Sequence, residues 1–139
     1  MTVSAQDLVD LSSKLSDEAD AHYKKADAMF CANLARHKGK GLFEIAIAKD
    51  KNLLNDLPDM RREMEIAIEK IYDADDLQRI AIHMDENLII SSCYLVRDFW
   101  IRHFEDRKET FDRAASYARG IDPETGMSLE EAGLVTEEE

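Results

Sequence analysis

Apolar residues recur at spacings of three and four along the first part of the chain, and no glycine or proline interrupts it before Gly39. This periodicity is typical of one face of an α-helix. Ser4, with Asp7 three residues later, forms a capping pattern at its start. The face is narrow and rich in alanine, which favours a close helix–helix contact and hints at self-association. It comprises Leu8, Leu11, Leu15, Ala19, His22, Ala26 and Met29.

The segment 36–41 combines two glycines with basic residues, so we expect the first helix to end there, with Gly39 in a left-handed conformation. In residues 42–49, larger apolar residues alternate with a glutamate and alanines, a pattern that is also compatible with a short strand. A strand without a partner is unstable, however, and over the whole of 42–57 the spacing fits a helix better. Asp56 and Pro58 indicate that this helix ends and the next one begins, with Asp56 as its N-cap and Pro58 in its first turn.

Acidic residues at 73–76 predict the start of a last helix that runs to about residue 118. Its centre, residues 88–101, contains ten hydrophobic residues among fourteen, and a helix apolar nearly all round must be covered nearly all round. We therefore predict an all-α, elongated bundle of about four helices, with two long helices at roughly 4–37 and 74–118. The helical domain would span residues 1–120, and residues 121–139 would form a flexible acidic tail.

The net charge of −12 is concentrated at one end of the chain. Residues 122–139 hold seven acidic residues and no basic one, whereas residues 1–55 hold eight of each sign. This balance argues against nucleic acid or an anionic membrane as a direct partner, because both attract positive charge. No apolar run reaches the ~18 residues of a membrane helix, and Cys31 and Cys93 do not suggest a disulfide scaffold. We expect a cytoplasmic protein, located in the host cytoplasm or the virion if phage-encoded.

The sequence contains no recognised phosphate-binding, metal-binding or catalytic motif. The basic loop at 36–41 lacks the phosphate-binding spacing, and no Cys-x-x-Cys, His-Glu-x-x-His or Gly-x-Ser-x-Gly occurs. Cys93 fits a small core residue better than a reactive thiol. We expect no catalytic residue, no cofactor and no metal site. An enzyme with a helical carboxylate or metal site, built on the acidic residues around 73–86, is the third hypothesis.

Aromatic residues and arginines cluster in the predicted last helix, a composition enriched at interface hot spots. Two interpretations of these rings are equally supported: an interface between copies of the chain, and the chain's own core. The candidate interface residues are Leu95, Phe99, Trp100, Phe104 and Phe111. In the tail, apolar residues spaced among acids suit a segment that docks on a basic-rimmed groove. That candidate partner-binding set is Met127, Leu129, Glu130, Glu131 and Leu134.

Residues 71–77 and 81–84 resemble a stretch of the phage-encoded acidic proteins that mimic DNA and inhibit restriction enzymes. The likeness is short and carries over no functional residue, so it does not assign the chain to that family. The leading hypothesis is a non-catalytic helical interaction protein, a dimer or small oligomer that binds another, basic protein. Such a chain would suit a phage accessory or virion assembly component, or a small regulator. The alternative is an acidic inhibitor of a nucleic-acid-binding enzyme.

Overall fold

The computed structural model describes residues 2–91 and 94–134. It contains four helices: α1 (Ala5–Arg36), α2 (Leu42–Ile47), α3 (Lys51–Met84) and α4 (Asp98–Ala118). Within the described ranges the only β-type pairing is an isolated antiparallel bridge between Ile121 and Ser128. The all-α prediction is confirmed, and residues 42–47 are helical.

The limits of α1 agree with the sequence pattern. The Ser4 hydroxyl accepts a hydrogen bond of 3.1 Å from the Asp7 backbone N–H, and the Asp7 carboxylate accepts one of 2.9 Å from the Ser4 N–H. This reciprocal pair satisfies two of the donors that a helix start leaves open. At the other end, His37 is the C-cap and Gly39 follows with a φ of +83°, in the left-handed region that glycine tolerates.

The second long helix is α3, and the predicted limits of the later helices are wrong. Pro58 lies inside α3, whose N-cap is Asp50 rather than Asp56, and residues 73–76 are mid-helix. The physical reason is an uninterrupted seam of buried residues at alternating spacings of four and three, which supports a helix through the proline. The seam comprises Leu53, Leu57, Met60, Met64, Ala67, Ile71, Ala74, Gln78 and Ala81.

The apolar stretch 88–101 is also not the centre of a helix, which corrects the prediction of a continuous helix over 74–118. Residues 85–91 and 94–97 form an irregular linker, in which Ile89 is 89% exposed and Val96 is buried. The buried side chain of Gln78 bonds the Tyr94 carbonyl at 2.6 Å and the Val96 N–H at 3.0 Å. These bonds supply the partners that a helix would have given this backbone. Cys93 lies outside the described residues.

Helices α1 and α3 pair antiparallel along a seam of small residues. Ser12 donates a hydrogen bond of 2.8 Å to the Ala74 carbonyl near one end, and Asn33 donates one of 2.9 Å to Asp56 near the other. Small side chains at the contact allow two helices to approach closely. The close helix–helix contact predicted for α1 therefore exists within the chain, but a partly different set of α1 residues forms it. Its residues are Val9, Ser12, Ser16, Ala19, Ala26 and Asn33, with Tyr23 and Phe30 partly buried between them.

Helix α4 packs along one side of the α1–α3 pair and runs parallel to α1. On the α1 side, the Arg107 guanidinium lies 4.5 Å from the centre of the Phe30 ring. On the α3 side, Arg61 donates a hydrogen bond of 2.8 Å to Asp112. Phe111, fully buried, belongs to the core and meets Phe30 of α1 edge to face, with ring centres 5.6 Å apart.

Residues 121–134 fold back against α4 rather than projecting from it. The Leu129 N–H donates to the Gly120 carbonyl at 3.0 Å, and the Leu129 side chain lies in the core, only 4% exposed. Arg113 also pairs with Glu124 at 2.8 Å. Of the predicted tail, residues 135–139 lie outside the described residues, and its flexibility stays a prediction. None of the helices described is long and apolar enough to cross a membrane.

Candidate interaction surfaces

An open pocket of about 630 Å³ lies where the first turns of α4 meet the middle of α1. Helix α1 contributes one wall, α4 the other, and Ile71 of α3 and Tyr94 of the linker complete it. We refer to it as the α1–α4 pocket. Its lining residues are Ser16, Asp17, Asp20, Tyr23, Ile71, Tyr94, Phe99, Trp100, Arg102, His103, Phe104 and Asp106.

Aromatic rings form the apolar part of the α1–α4 pocket. Tyr23 stacks on Phe104, with ring centres 5.0 Å apart and an angle of 14° between the rings. The Tyr23 hydroxyl and His103 Nε2, 2.8 Å apart, share a hydrogen bond that fixes the tyrosine against α4. Phe99 meets Trp100 edge to face at 6.0 Å and is 61% exposed. A concave pocket lined by aromatic side chains and a few polar groups is the usual form of a binding site.

Charged residues on the rim of the α1–α4 pocket give it a negative balance. Its charged lining residues are three aspartates, Asp17, Asp20 and Asp106, and one arginine, Arg102. Asp20 pairs with Lys24 at 2.8 Å on the outer surface, where both side chains are more than half exposed. Within the described residues, Asp17, Asp106 and Arg102 take part in no ion pair. Solvent-exposed pairs contribute little energy, so the carboxylates stay available to a cation.

Ser16 lies at the base of the α1–α4 pocket and is 7% exposed. Its hydroxyl oxygen is buried and has no hydrogen-bond partner in the described part of the chain. An unpaired buried hydroxyl costs free energy, because its bonds to water are lost without replacement. Sequence reasoning missed this residue, since a serine within a helix carries no signal of its own.

A second surface lies on the side of the α1–α3 pair that α4 leaves uncovered. Leu11, Ile80 and Met84 are each about half exposed there. The antiparallel register, fixed by the bond from Ser12 to Ala74, places them at the same end of the pair. We call this surface the leucine face; it comprises Leu8, Leu11, Leu15, Leu77, Ile80 and Met84.

Polar residues bound the leucine face toward the middle of the helices. The Lys70 ammonium donates a hydrogen bond of 2.8 Å to Glu18 and lowers the pKa of that carboxyl. His22 and Glu63 form the next contact between α1 and α3 along the same side. The apolar surface is therefore confined to the end of the pair that holds the N-terminus of α1 and the C-terminus of α3.

The structure divides the predicted interface residues into two groups. Phe104 and Phe111 are buried within the chain's own core, although Phe104 also lines the α1–α4 pocket. Phe99 is exposed, and Trp100 and Leu95 are half-buried near the linker. Phe99, Trp100 and Leu95 therefore remain at least partly accessible, and of these Phe99 and Trp100 line the α1–α4 pocket.

The predicted partner-binding residues of the C-terminal segment are also divided. Leu129 belongs to the core, whereas Glu130 and Glu131 are exposed. Met127 and Leu134 are exposed by 40% and 50%. Docking of this segment on a basic partner stays a prediction, and with Leu129 anchored it would involve the remaining four residues.

Metal-ligating side chains are not grouped in the described residues: no three His, Cys, Asp or Glu lie together in an arrangement that could hold an ion. Asp75, one of the acidic residues in the third hypothesis, instead pairs with Arg79 at 2.9 Å along α3. Comparisons of the chain with protein-family models, with curated proteins and with solved structures gave no match.

Proposed function

We propose that this chain is a non-catalytic protein–protein interaction module that self-associates through the leucine face and binds a partner protein at the α1–α4 pocket. The observation that carries the proposal is the uncovered apolar side of the α1–α3 pair. Helical bundles bury their apolar stripes against neighbouring helices, and here α4 covers only one side. A further helix on the open side would bury Leu11, Ile80 and Met84, which are half exposed in the single chain.

A second copy of the chain is the occupant we favour for the leucine face. The face draws on two antiparallel helices, so the same surface from another copy can pack on it around a two-fold axis. Such an isologous contact forms two matching sets of apolar contacts at once. The Glu18–Lys70 pair at the edge of the face would limit how far the two copies overlap.

The experiment is sedimentation velocity of the wild type and of two single variants, Leu11→Glu and Ile80→Glu. A carboxylate buried at an apolar interface is strongly unfavourable, so each variant should sediment as a monomer while the wild type sediments as a dimer. Leu54→Glu serves as the matched control, because Leu54 is also partly exposed but lies near the opposite end of α3. Far-UV circular dichroism verifies that all variants keep their helices.

A wild type that remains monomeric over the whole concentration range contradicts self-association. A dimer that persists in both variants, with Leu54→Glu behaving in the same way, places the contact elsewhere and contradicts the assignment of the leucine face. Binding of a partner at the α1–α4 pocket is a separate part of the proposal, which these sedimentation experiments do not touch.

A further inference from the structure

Basic residues are concentrated on the two turns that flank α2 and on the helix ends beside them, at the end of the α1–α3 pair opposite the leucine face. The two turns lie side by side, because His37 Nε2 of the first is 3.1 Å from Asp50 Oδ1 of the second. Five side chains on them are both basic and exposed, and we call the surface they form the basic end. It comprises Arg36, Lys38, Lys40, Lys49 and Lys51.

The positive charge of the basic end is not balanced locally. Residues 36–51 hold five lysines and arginines but only two acidic residues, Glu44 and Asp50, in a chain whose net charge is −12. Asp50 is already the N-cap of α3 and the partner of His37. Within the described residues, none of the five basic side chains forms an ion pair. The basic end therefore carries an excess of positive charge that an anionic partner can neutralise.

Lys49 occupies a backbone position that favours glycine. Its φ is +57°, and no other non-glycine residue in the described ranges has a positive φ. Its N–H donates to the Ala46 carbonyl at 2.9 Å and the next N–H donates to the Ile45 carbonyl at 3.3 Å, the two bonds of a Schellman motif at the end of α2. Helix α4 ends with the same pattern of bonds, but its left-handed residue is Gly120, with a φ of +78°.

The comparison of these two helix ends indicates a function for the charge of Lys49. A side chain in the left-handed region costs free energy that glycine avoids. Lys49 is exposed, and its side chain makes no hydrogen bond or ion pair in the described part of the chain that would offset this cost. Backbone strain of this kind is concentrated at sites that bind ligands or partners. Here the strained residue adds one more positive charge to the basic end.

We propose that the basic end binds an acidic segment of a partner protein, a short run of Asp and Glu side chains. Four of its five basic residues are lysines, whose ammonium groups act as compact point charges, whereas nucleic-acid sites favour the bidentate fork of arginine. None of the exposed residues in 36–51 is aromatic, so nucleic-acid bases would find no ring to stack on. The net charge of −12 also repels a long polyanion more than a short acidic segment. The inference rests on the proposed function in one respect, that the chain has a protein partner.

The probe is a fluorescein-labelled hexaglutamate peptide, titrated with the full chain and followed by fluorescence anisotropy at an ionic strength of about 0.05 M. We expect a saturable rise that is lost in about 0.5 M NaCl, because salt screens exposed charges. A labelled oligothymidylate of equal charge is the nucleic-acid probe. It should bind at least about fivefold more weakly, because the basic end offers it neither stacking rings nor a cluster of arginines.

Variants separate a binding role from a structural one. Lys49→Gly should weaken hexaglutamate binding by about two- to fivefold, as expected for the loss of one exposed ion pair. It should also raise the midpoint of urea unfolding, because glycine fits the left-handed conformation. The double variant Lys38→Gln/Lys51→Gln should bind about five- to twentyfold more weakly. Lys14→Gln/Lys25→Gln, with the same net charge but with its changes on α1 away from the basic end, is the matched control and should bind within about twofold of the wild type.

Four outcomes would overturn the proposal. They are no saturable rise with hexaglutamate, oligothymidylate binding as tight as that of hexaglutamate, equal weakening in the two double variants, and a Lys49→Gly variant that binds normally or unfolds at lower urea. The titration reads the basic end in a monomer and a dimer alike. Loss of the dimer in sedimentation with intact hexaglutamate binding therefore contradicts self-association alone, and an intact dimer that does not bind hexaglutamate contradicts the basic end alone.

Discussion

The side-chain amide of Gln78 donates a hydrogen bond of 3.0 Å to the hydroxyl of Ser12 across the α1–α3 seam. The same amide bonds the Tyr94 carbonyl, and its oxygen accepts from the Val96 N–H. Ser12 in turn donates to the Ala74 carbonyl. This buried network fastens the irregular linker to the two long helices and so sets where α4 begins.

Replacing Gln78 by Met should lower the free energy of unfolding by about 2–3 kcal/mol, because the Val96 N–H and the Tyr94 carbonyl would lose their partners in a buried place. Urea denaturation followed by circular dichroism measures the loss. Gln6→Met is the control, since Gln6 is exposed and its side chain donates to the exposed Asp10. Equal stability of the two variants would contradict the role of Gln78 as the anchor of the linker.

Pro58 provides a test of the continuity of α3. As an interior helical residue it removes the N–H that would bond the Leu54 carbonyl, so Pro58→Ala should raise the free energy of unfolding by about 1–3 kcal/mol. Thermal and urea unfolding both measure the gain. A loss of stability would instead indicate that Pro58 occupies the first turn of a helix, where its ring is favourable.

The contrast between sequence and structure is sharpest in these two long helices. The start of α1 was predictable because the Ser4–Asp7 capping box is local. Its buried face was not, because Ser12, Ser16 and Asn33 are polar while the exposed Leu11 is apolar. Small size rather than hydropathy decides which residues fit a close seam between helices.

For α3, proline and a cluster of aspartates indicated two boundaries, yet the regular spacing of its buried residues extends across both. That spacing was the signal that could have located the helix. The linker was not predictable in this way, because its apolar residues 88–96 resemble a helix core in composition. Two groups of its non-helical backbone, the Tyr94 carbonyl and the Val96 N–H, find their partner in the distant Gln78. Of the residues that line the α1–α4 pocket, Phe99 and Trp100 were predicted from the aromatic composition of their segment. Ser16 and the aspartates of α1 could be assigned to the pocket only from the three-dimensional structure.

The C-terminal segment offers a direct comparison of two leucines. Leu129→Ala should cost about 2–4 kcal/mol of unfolding free energy, because the side chain is buried in the core. Leu134→Ala should change it by less than about 0.5 kcal/mol, because Leu134 is half exposed. Urea unfolding of both variants measures these two changes in the free energy of unfolding. Similar small effects would contradict the packing of residues 121–134 against α4.

The N-cap of α3 makes stability depend on pH. The Asp50 carboxylate accepts a hydrogen bond from the Leu53 N–H at 3.0 Å, which, with the charge of the nearby His37, lowers the pKa of Asp50 in the folded chain. A lowered folded pKa means that the carboxylate stabilises the fold above its unfolded pKa and that this contribution is lost as the pH falls through the folded value.

The difference in urea midpoint between pH 7 and pH 3 should therefore be smaller in Asp50→Asn than in the wild type. Asparagine is also a good N-cap, so the variant should fold. Asp76→Asn, at an exposed position in the middle of α3, is the matched control and should keep the wild-type difference. An unchanged pH dependence in Asp50→Asn would contradict the contribution of this cap.

Self-association through the leucine face is the central claim, and light scattering behind a sizing column tests it most directly. We predict a mass of twice the chain mass of 15.9 kDa at micromolar concentrations and above, falling toward the single-chain value on dilution. A mass of one chain at every concentration would contradict the claim, because Leu11, Ile80 and Met84 would then remain half exposed in the functional protein.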